Sequence, residues 1–155
     1  MTRQYMVNEQ FCSLQGEGMR AGTANHFLRL TGCNMKCDIA AGPNSPGGFA
    51  CDTEFMSGRK MVLEEIVQEM VAQNASCKWV ILTGGEPGLQ IDDELIDGLH
   101  NAGYKIAVET NGSIALPAGL DWITVSPKVA EHAIKQKTAS EVKYVRGHGQ
   151  GIPKT

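Results

Sequence analysis

The sequence has no excess of positive charge. Its 155 residues carry 14 lysines and arginines against 17 aspartates and glutamates, which gives a formal net charge of −3. Such a balance provides no extended basic surface, so a long polyanionic partner such as a nucleic acid is not expected. The length suits one domain with its own hydrophobic core, and we expect residues 1–155 to form a single domain.

A long hydrophobic run is also lacking. No segment approaches the ~20 consecutive apolar residues that a membrane-spanning helix needs. The N-terminal segment MTRQYMVNEQ is polar and has no apolar core of the kind found in a secretory signal peptide. The sequence therefore predicts no membrane partner and a cytoplasmic location.

Cysteine is scarce, and its number, five, is odd. In a reducing compartment such cysteines are typical of metal ligands or buried thiols rather than of disulfides. Cys33, Cys37 and Cys51 form a cluster with the spacing Cys-x3-Cys-x13-Cys. Cys12 and Cys77 stand apart among core-like neighbours, and we interpret them as plain buried thiols.

The segment between Cys37 and Cys51 is rich in glycine and proline, so it is a loop that can bring Cys51 back to a shared metal centre. A cubane [4Fe–4S] cluster normally takes four thiolates, and three would leave one iron open for a reactive ligand. Zinc is an alternative, although neither Cys-x2-Cys pair of the usual zinc pattern is present. A cysteine cluster without metal is the third possibility.

The apolar segments predict alternating strands and helices. The predicted strands cover residues 26–30, 78–82, 104–108, 122–125 and 142–145, and the predicted helices cover residues 61–73 and 92–102. This alternation implies right-handed βαβ units and a parallel sheet. The sheet would keep an unpaired edge at its end, which a second subunit would cover unless the natural chain is longer.

Polar motifs follow three of the predicted strands. They read TGGEP at residues 83–87, ETNG at 109–112 and SPK at 126–128. Because the carboxyl ends of parallel strands meet at one edge, we expect a single site there. The glycine pair lets a small amino-acid group approach the backbone. Together with the three cysteines, this favours an iron–sulfur enzyme that cleaves S-adenosylmethionine to make a radical.

The sequence resembles the radical S-adenosylmethionine superfamily and, within it, the family of 7-carboxy-7-deazaguanine synthases. The resemblance is carried by SLQGEG at residues 13–18, FLRLTGCN at 27–34, CDTEF at 51–55 and the three motifs above. It covers nearly the whole chain. It implies an α/β fold, namely a partial parallel (β/α) barrel without the family's last strand and C-terminal helix, in one radical S-adenosylmethionine core domain with a cluster-binding loop at residues 33–51.

The resemblance also implies a set of ligands. Cys33, Cys37 and Cys51 would bind the [4Fe–4S] cluster, and Thr53 would bind Mg²⁺. The positions implied for S-adenosylmethionine are Gly85, Thr110, Asn111, Ser126, Pro127 and Lys128. The positions implied for a pterin substrate are Leu14, Gln15, Gly16, Arg29 and Thr83. Among these, Arg29 has the forked shape that pairs with a carboxylate.

The implied reaction converts 6-carboxy-5,6,7,8-tetrahydropterin to 7-carboxy-7-deazaguanine with loss of ammonia, in queuosine and deazapurine biosynthesis. Such a carbon–nitrogen lyase would use an external electron donor such as flavodoxin and would act as a homodimer. The chain departs from the common family spacing Cys-x3-Cys-x2-Cys, because an insertion separates Cys37 from Cys51 and places Ala50 before the last cysteine.

Two other interpretations share part of the pattern. A glycyl-radical enzyme activase would use the same cluster and Gly-Gly-Glu motif but has no need of the LQGEG or CDT elements. A non-catalytic zinc-binding module would use only the cysteines. The four histidines match no motif, and we interpret His26, His100, His132 and His148 as surface or packing residues.

Overall fold

The computed structural model describes residues 3–32, 58–128 and 133–144. Its strands are β1 (Gln4–Leu14), β2 (Ala24–Leu30), β3 (Arg59–Val62), β4 (Trp79–Gly84), β5 (Lys105–Thr110), β6 (Trp122–Val125) and β7 (Glu141–Val142). Its helices are α1 (Leu63–Gln73) and α2 (Asp93–Asn101), and a short 3₁₀ helix covers Pro87–Leu89. Among these described residues, no helix has both the length and the apolar character needed to cross a bilayer.

The described strands form one seven-stranded sheet in the order β3-β1-β2-β4-β5-β6-β7. From β2 to β7 neighbouring strands run parallel, whereas β1 runs antiparallel to both β2 and β3. The predicted alternation of strands and helices is confirmed. The strands predicted to form a parallel sheet do pair in parallel, and β1 and β3, which were not predicted, add an antiparallel edge. Residues 61–62, which were predicted to begin a helix, complete β3 instead.

A β-bulge explains why β1 is hard to recognise in the sequence. Val7 lies opposite Leu30, but Glu9 lies opposite Arg29, so Asn8 is an extra residue in the ladder. The extra residue shifts the two-residue alternation of apolar side chains halfway along the strand. The same shift places the carboxylate of Glu9 on the face of the sheet that carries Arg29.

One face of the sheet forms the hydrophobic core with the helices. The core contains Tyr5, Val7, Leu28, Leu30, Val80, Leu82, Ile106 and Val108 from the strands, with Ile66, Met70, Leu95, Ile96 and Leu99 from α1 and α2. Helix α2 begins after Asp92, whose carboxylate caps it by accepting a hydrogen bond from Leu95 N–H at 2.9 Å. It ends just before Gly103, whose φ of 93° suits the end of a helix.

The other face of the parallel strands carries many polar side chains. Strand register places Arg29 beside Thr83, Glu109 beside Thr124, and Thr124 beside Glu141. Since successive side chains of a strand point to opposite faces, these residues share the face opposite the helical core. We call this surface the polar face.

Candidate functional site

The loops that follow the parallel strands lie together at one edge of the sheet, which we call the rim. Glu86 N–H, after β4, donates to the carbonyl oxygen of Gly32, after β2, at 2.7 Å. Ser126 N–H, after β6, donates to the carbonyl oxygen of Thr110, at the end of β5, at 2.8 Å. The structure thus brings the three polar motifs to the same rim.

Gly84 permits the close approach of β2 and β4 at the rim. A Cβ atom at this position would overlap the carbonyl oxygen of Leu30, which belongs to the neighbouring backbone and cannot move aside cheaply. The first glycine of the TGGEP motif is therefore required by strand packing. The second, Gly85, is the position that the family resemblance assigns to S-adenosylmethionine.

A buried carboxylate joins the loops after β4 and β5. Glu86 is 1% exposed and accepts hydrogen bonds from Asn111 N–H at 2.8 Å, the Thr110 hydroxyl at 2.7 Å and Gly88 N–H at 2.8 Å. Burial raises the pKa of the Glu86 carboxyl, and the hydrogen bonds oppose this rise. In the sequence, Glu86 stands out only as part of the TGGEP motif. The structure shows that its carboxylate holds the loops of the rim together.

The contacts of Glu86 bear on two predicted cofactor positions. Thr110 is 3% exposed and its hydroxyl is hydrogen-bonded to Glu86, so a contact with S-adenosylmethionine would be made by its backbone. Asn111 is buried beside it. Further along the rim, Lys128 Nζ donates to Ser126 Oγ at 3.4 Å.

Pro127 borders a cavity of about 330 Å³ near the ends of β6 and β7. The lining includes Val125, Ile134, Val142 and Tyr144, which give this cavity a largely apolar wall. One predicted cofactor position after β6, Pro127, therefore lies next to an open volume.

Glu109 is the centre of the polar face. Its carboxylate accepts a hydrogen bond from Gln15 Nε2 at 3.1 Å and lies 3.5 Å from the Thr83 hydroxyl. Lys143 Nζ lies 3.8 Å from the same carboxylate. The structure thus joins two predicted substrate positions, Gln15 and Thr83, through a residue that the sequence analysis did not select. The available signal was a carboxylate directly after the apolar residues 106–108 of strand β5.

Arg29 lies on the polar face in an ion pair. Its Nη1 atom is 2.6 Å from Glu9 Oε1, and the Arg29 side chain is 30% exposed. The forked cation is thus present where the sequence predicts a carboxylate site, and Glu9 occupies one side of it. Two other predicted substrate positions lie in open surroundings. Leu14 is 63% exposed, and a Cβ atom at Gly16 would have open space around it.

The predicted metal ligands Cys33, Cys37, Cys51 and Thr53 lie outside the described residues. Gly32, directly before Cys33, lies at the rim beside the TGGEP loop. Within residues 3–32, 58–128 and 133–144, no group of three or more His, Cys, Asp or Glu side chains is arranged to bind a metal ion.

Among the described residues, the other cysteines and histidines lie in packing or surface positions. Cys77 is buried, and Cys12 is only partly buried. His26 is 1% exposed and packs edge-on against Tyr104. His100 pairs at the surface with Asp121 at 2.8 Å. His132 and His148 lie outside the described residues.

Comparisons with known proteins agree with the chemistry of the rim. A family described as a 4Fe-4S single cluster domain matches residues 14–142. This match agrees with the iron–sulfur interpretation of the cysteines and not with the zinc alternative.

Two similar proteins carry the same name. The chain is 42% identical over 160 residues to 7-carboxy-7-deazaguanine synthase from Bradyrhizobium diazoefficiens, covering 97% of this chain and 76% of the relative. It is 48% identical over 122 residues to 7-carboxy-7-deazaguanine synthase from Bacteroides thetaiotaomicron, covering 79% of this chain and 60% of the relative. The chain therefore spans only part of the length of these relatives.

A solved structure shows the same fold. The crystal structure of QueE from Escherichia coli matches with a TM-score of 0.70 and 26% identity, over 91% of this chain and 71% of that one.

Proposed function

Because this chain belongs to the family of 7-carboxy-7-deazaguanine synthases, we propose that it converts 6-carboxy-5,6,7,8-tetrahydropterin to 7-carboxy-7-deazaguanine with loss of ammonia, a step of queuosine biosynthesis. The observation that carries the proposal is the arrangement of the polar face. Arg29, Thr83 and Glu109 lie there on neighbouring strands, directly below the rim that bears the TGGEP motif.

The chain's own residues fit the cofactors that this reaction needs. Cys33, Cys37 and Cys51 would hold a [4Fe–4S] cluster, and Gly85 would face the methionyl group of S-adenosylmethionine. When bound, the cluster and S-adenosylmethionine together supply a 5′-deoxyadenosyl radical that removes a hydrogen atom from the substrate. The fit is supported by Gly84, which allows the close approach of the strands, and by the hydrogen bond that places Gly32 beside Glu86.

The rest of the rim would hold the remainder of S-adenosylmethionine. Asn111, Ser126 and Lys128 carry polar groups for its carboxylate and ribose, and Thr110 would contribute its backbone. Pro127 lies beside the apolar cavity, which suits the flat face of an adenine ring. Thr53 would bind Mg²⁺, an ion that needs few protein ligands when a substrate supplies oxygen atoms.

The polar face suits both ends of a carboxypterin. Arg29 would pair with the substrate carboxylate, which would share the guanidinium with Glu9 or displace it. The carboxylate oxygens of Glu109 accept hydrogen bonds, so they suit the N–H groups of a pyrimidine ring. Gln15 and Thr83 contact Glu109 already and would border the same ring, with Leu14 and Gly16 beside them.

The proposal extends to the whole molecule. Residues 1–155 would act as one radical S-adenosylmethionine core domain, in which the parallel strands are the described part of a (β/α) barrel. Strand β7 is an edge of the described sheet, and a second copy of the chain would cover it in a homodimer. A small electron donor such as flavodoxin would reduce the cluster in the cytoplasm.

Anaerobic turnover tests the proposed reaction. The iron-loaded protein is incubated with S-adenosylmethionine, reductant, Mg²⁺ and the carboxypterin, and the products are identified by mass spectrometry. We expect a deazapurine carboxylate from the wild-type protein, none from Cys51→Ala, and normal amounts from the matched control Cys77→Ala. Formation of deoxyadenosine without the deazapurine would refute the specific reaction.

A further inference from the structure

A segment of the candidate substrate site is held by residues from the far end of the chain. Residues 15–22 follow β1 and form a loop closed by the hydrogen bond from Gly22 N–H to the carbonyl oxygen of Gln15 at 2.7 Å. We call this segment the substrate loop. Met19 N–H, near its tip, donates to Glu141 Oε2 of β7 at 2.8 Å.

Glu141 is itself held on the polar face. Its second oxygen accepts a hydrogen bond from the Thr124 hydroxyl on β6 at 2.7 Å. Burial acts to raise the pKa of Glu141, but the hydrogen bonds from Met19, Thr124 and Trp122 and the positive charge of Lys143 together lower that pKa. The carboxylate is therefore an ionised acceptor that joins the substrate loop to the sheet.

Gly18 shows how close this contact is. Its φ is 72°, a conformation that favours glycine, and a Cβ atom there would overlap the carboxylate of Glu141. Residue 18, the second glycine of LQGEG, therefore lacks a side chain because Glu141, more than one hundred residues away in the sequence, occupies the space.

Lys143 makes a second link between the same elements. Its Nζ atom lies 2.6 Å from Glu17 in the substrate loop and 3.8 Å from Glu109 on the polar face. Burial acts to lower the pKa of Lys143, but the hydrogen bond to Glu17 and the negative charges of Glu109, Glu17 and Glu141 together raise that pKa. A charged ammonium therefore bridges the loop and the carboxylate that is bonded to Gln15.

We propose that Glu141 and Lys143 are positioning residues for the pterin: they hold the substrate loop over the polar face so that Gln15 and Gly16 reach the substrate. Neither residue belongs to any of the sequence motifs. This inference rests on the proposed function and adds two residues to its binding machinery.

Kinetics of Glu141→Ala test the inference. Without the acceptor for Met19 N–H, the loop is held less often in its binding position, so KM for the carboxypterin should rise about tenfold while kcat changes less than about threefold. KM for S-adenosylmethionine should not change.

Glu141→Gln, which keeps an acceptor oxygen, should recover most of the affinity, and Lys143→Met should raise KM like Glu141→Ala. Asp97→Ala, an exposed carboxylate on α2, is the matched control and should behave as wild type.

Hydrogen exchange of residues 15–22 gives a readout that needs no turnover. We expect faster amide exchange in this segment for Glu141→Ala and Lys143→Met, with unchanged exchange in α1 and α2. Unaltered exchange in both variants would overturn the inference, as would a fall in kcat at constant KM. Failure of the wild-type protein to convert the pterin would instead refute the proposed function, and the exchange experiment would still decide whether these residues hold the loop.

Discussion

At the scale of single residues, Glu86 combines burial with three hydrogen-bond donors from two loops. Glutamine has nearly the same shape as glutamate, but its side-chain NH₂ group donates hydrogen bonds and does not accept them. In Glu86→Gln this group would face a donor that the carboxylate now accepts from, and that donor would lose its acceptor. We expect Glu86→Gln to lower the free energy of unfolding by about 1–3 kcal/mol, the usual cost of leaving buried polar groups unpaired. Urea denaturation measures this difference.

The pH dependence of that difference follows from the pKa of Glu86. Burial raises this pKa above the ordinary value of 4.5. The stabilisation linked to the raised pKa is fully present below 4.5 and is lost as the pH rises through the pKa of the folded protein, because the folded state binds a proton that the unfolded chain has released. The stability cost of Glu86→Gln should therefore shrink as the pH rises above 4.5. If the stability cost of Glu86→Gln instead grew with pH, the folded protein would favour the ionised form of Glu86.

Arg29 is the residue on which recognition of the substrate carboxylate depends. Lysine keeps the charge but loses the fork, so Arg29→Lys should lower kcat/KM for the carboxypterin about tenfold or more. Arg59→Lys, which alters an exposed ion pair with Glu69, is the matched control and should leave kcat/KM unchanged. Equal values for Arg29→Lys and the wild-type protein would remove Arg29 from the site.

At the scale of elements, the contact between β2 and β4 sets the geometry of the rim. Gly84→Ala would force a methyl group against the carbonyl oxygen of Leu30, so we expect a loss of about 1–3 kcal/mol in the free energy of unfolding. Gly16→Ala, at a position with open space, is the stability control and should cost less than about 0.5 kcal/mol. Similar losses in both variants would show that β2 and β4 can move apart to accommodate the methyl group without a cost in the free energy of unfolding.

The success of the secondary-structure predictions depended on how regular each element is. Helix α2 was located well, because its cap Asp92 and the terminating Gly103 carry ordinary boundary signals. Strand β1 was missed, because the bulge at Asn8 interrupts its alternation and places polar residues on both faces. The start of α1 was placed early, because the apolar residues of β3 continue the helical spacing without a break.

At the scale of the whole molecule, the rim could be predicted from sequence because each motif follows a strand and parallel strands end at one edge. The pairing of Gln15 with Glu109 could not, since the two residues meet only through the antiparallel packing of β1 on β2. The contacts of Glu141 and Lys143 could not be predicted either, because β7 is a very short strand and the partners of these two residues in the substrate loop lie more than one hundred residues away in the sequence. The roles of the predicted site residues stay predictions.

The proposed chemistry requires that one iron of the cluster lacks a protein thiolate and binds S-adenosylmethionine at the rim. The most direct measurement is the EPR spectrum of the reduced, iron-loaded protein before and after S-adenosylmethionine is added. We expect the spectrum of the cluster to change on addition, and we expect S-adenosylhomocysteine, which has the same amino-acid group, to change it as well. An identical spectrum with and without these compounds would show that no iron of the cluster binds S-adenosylmethionine.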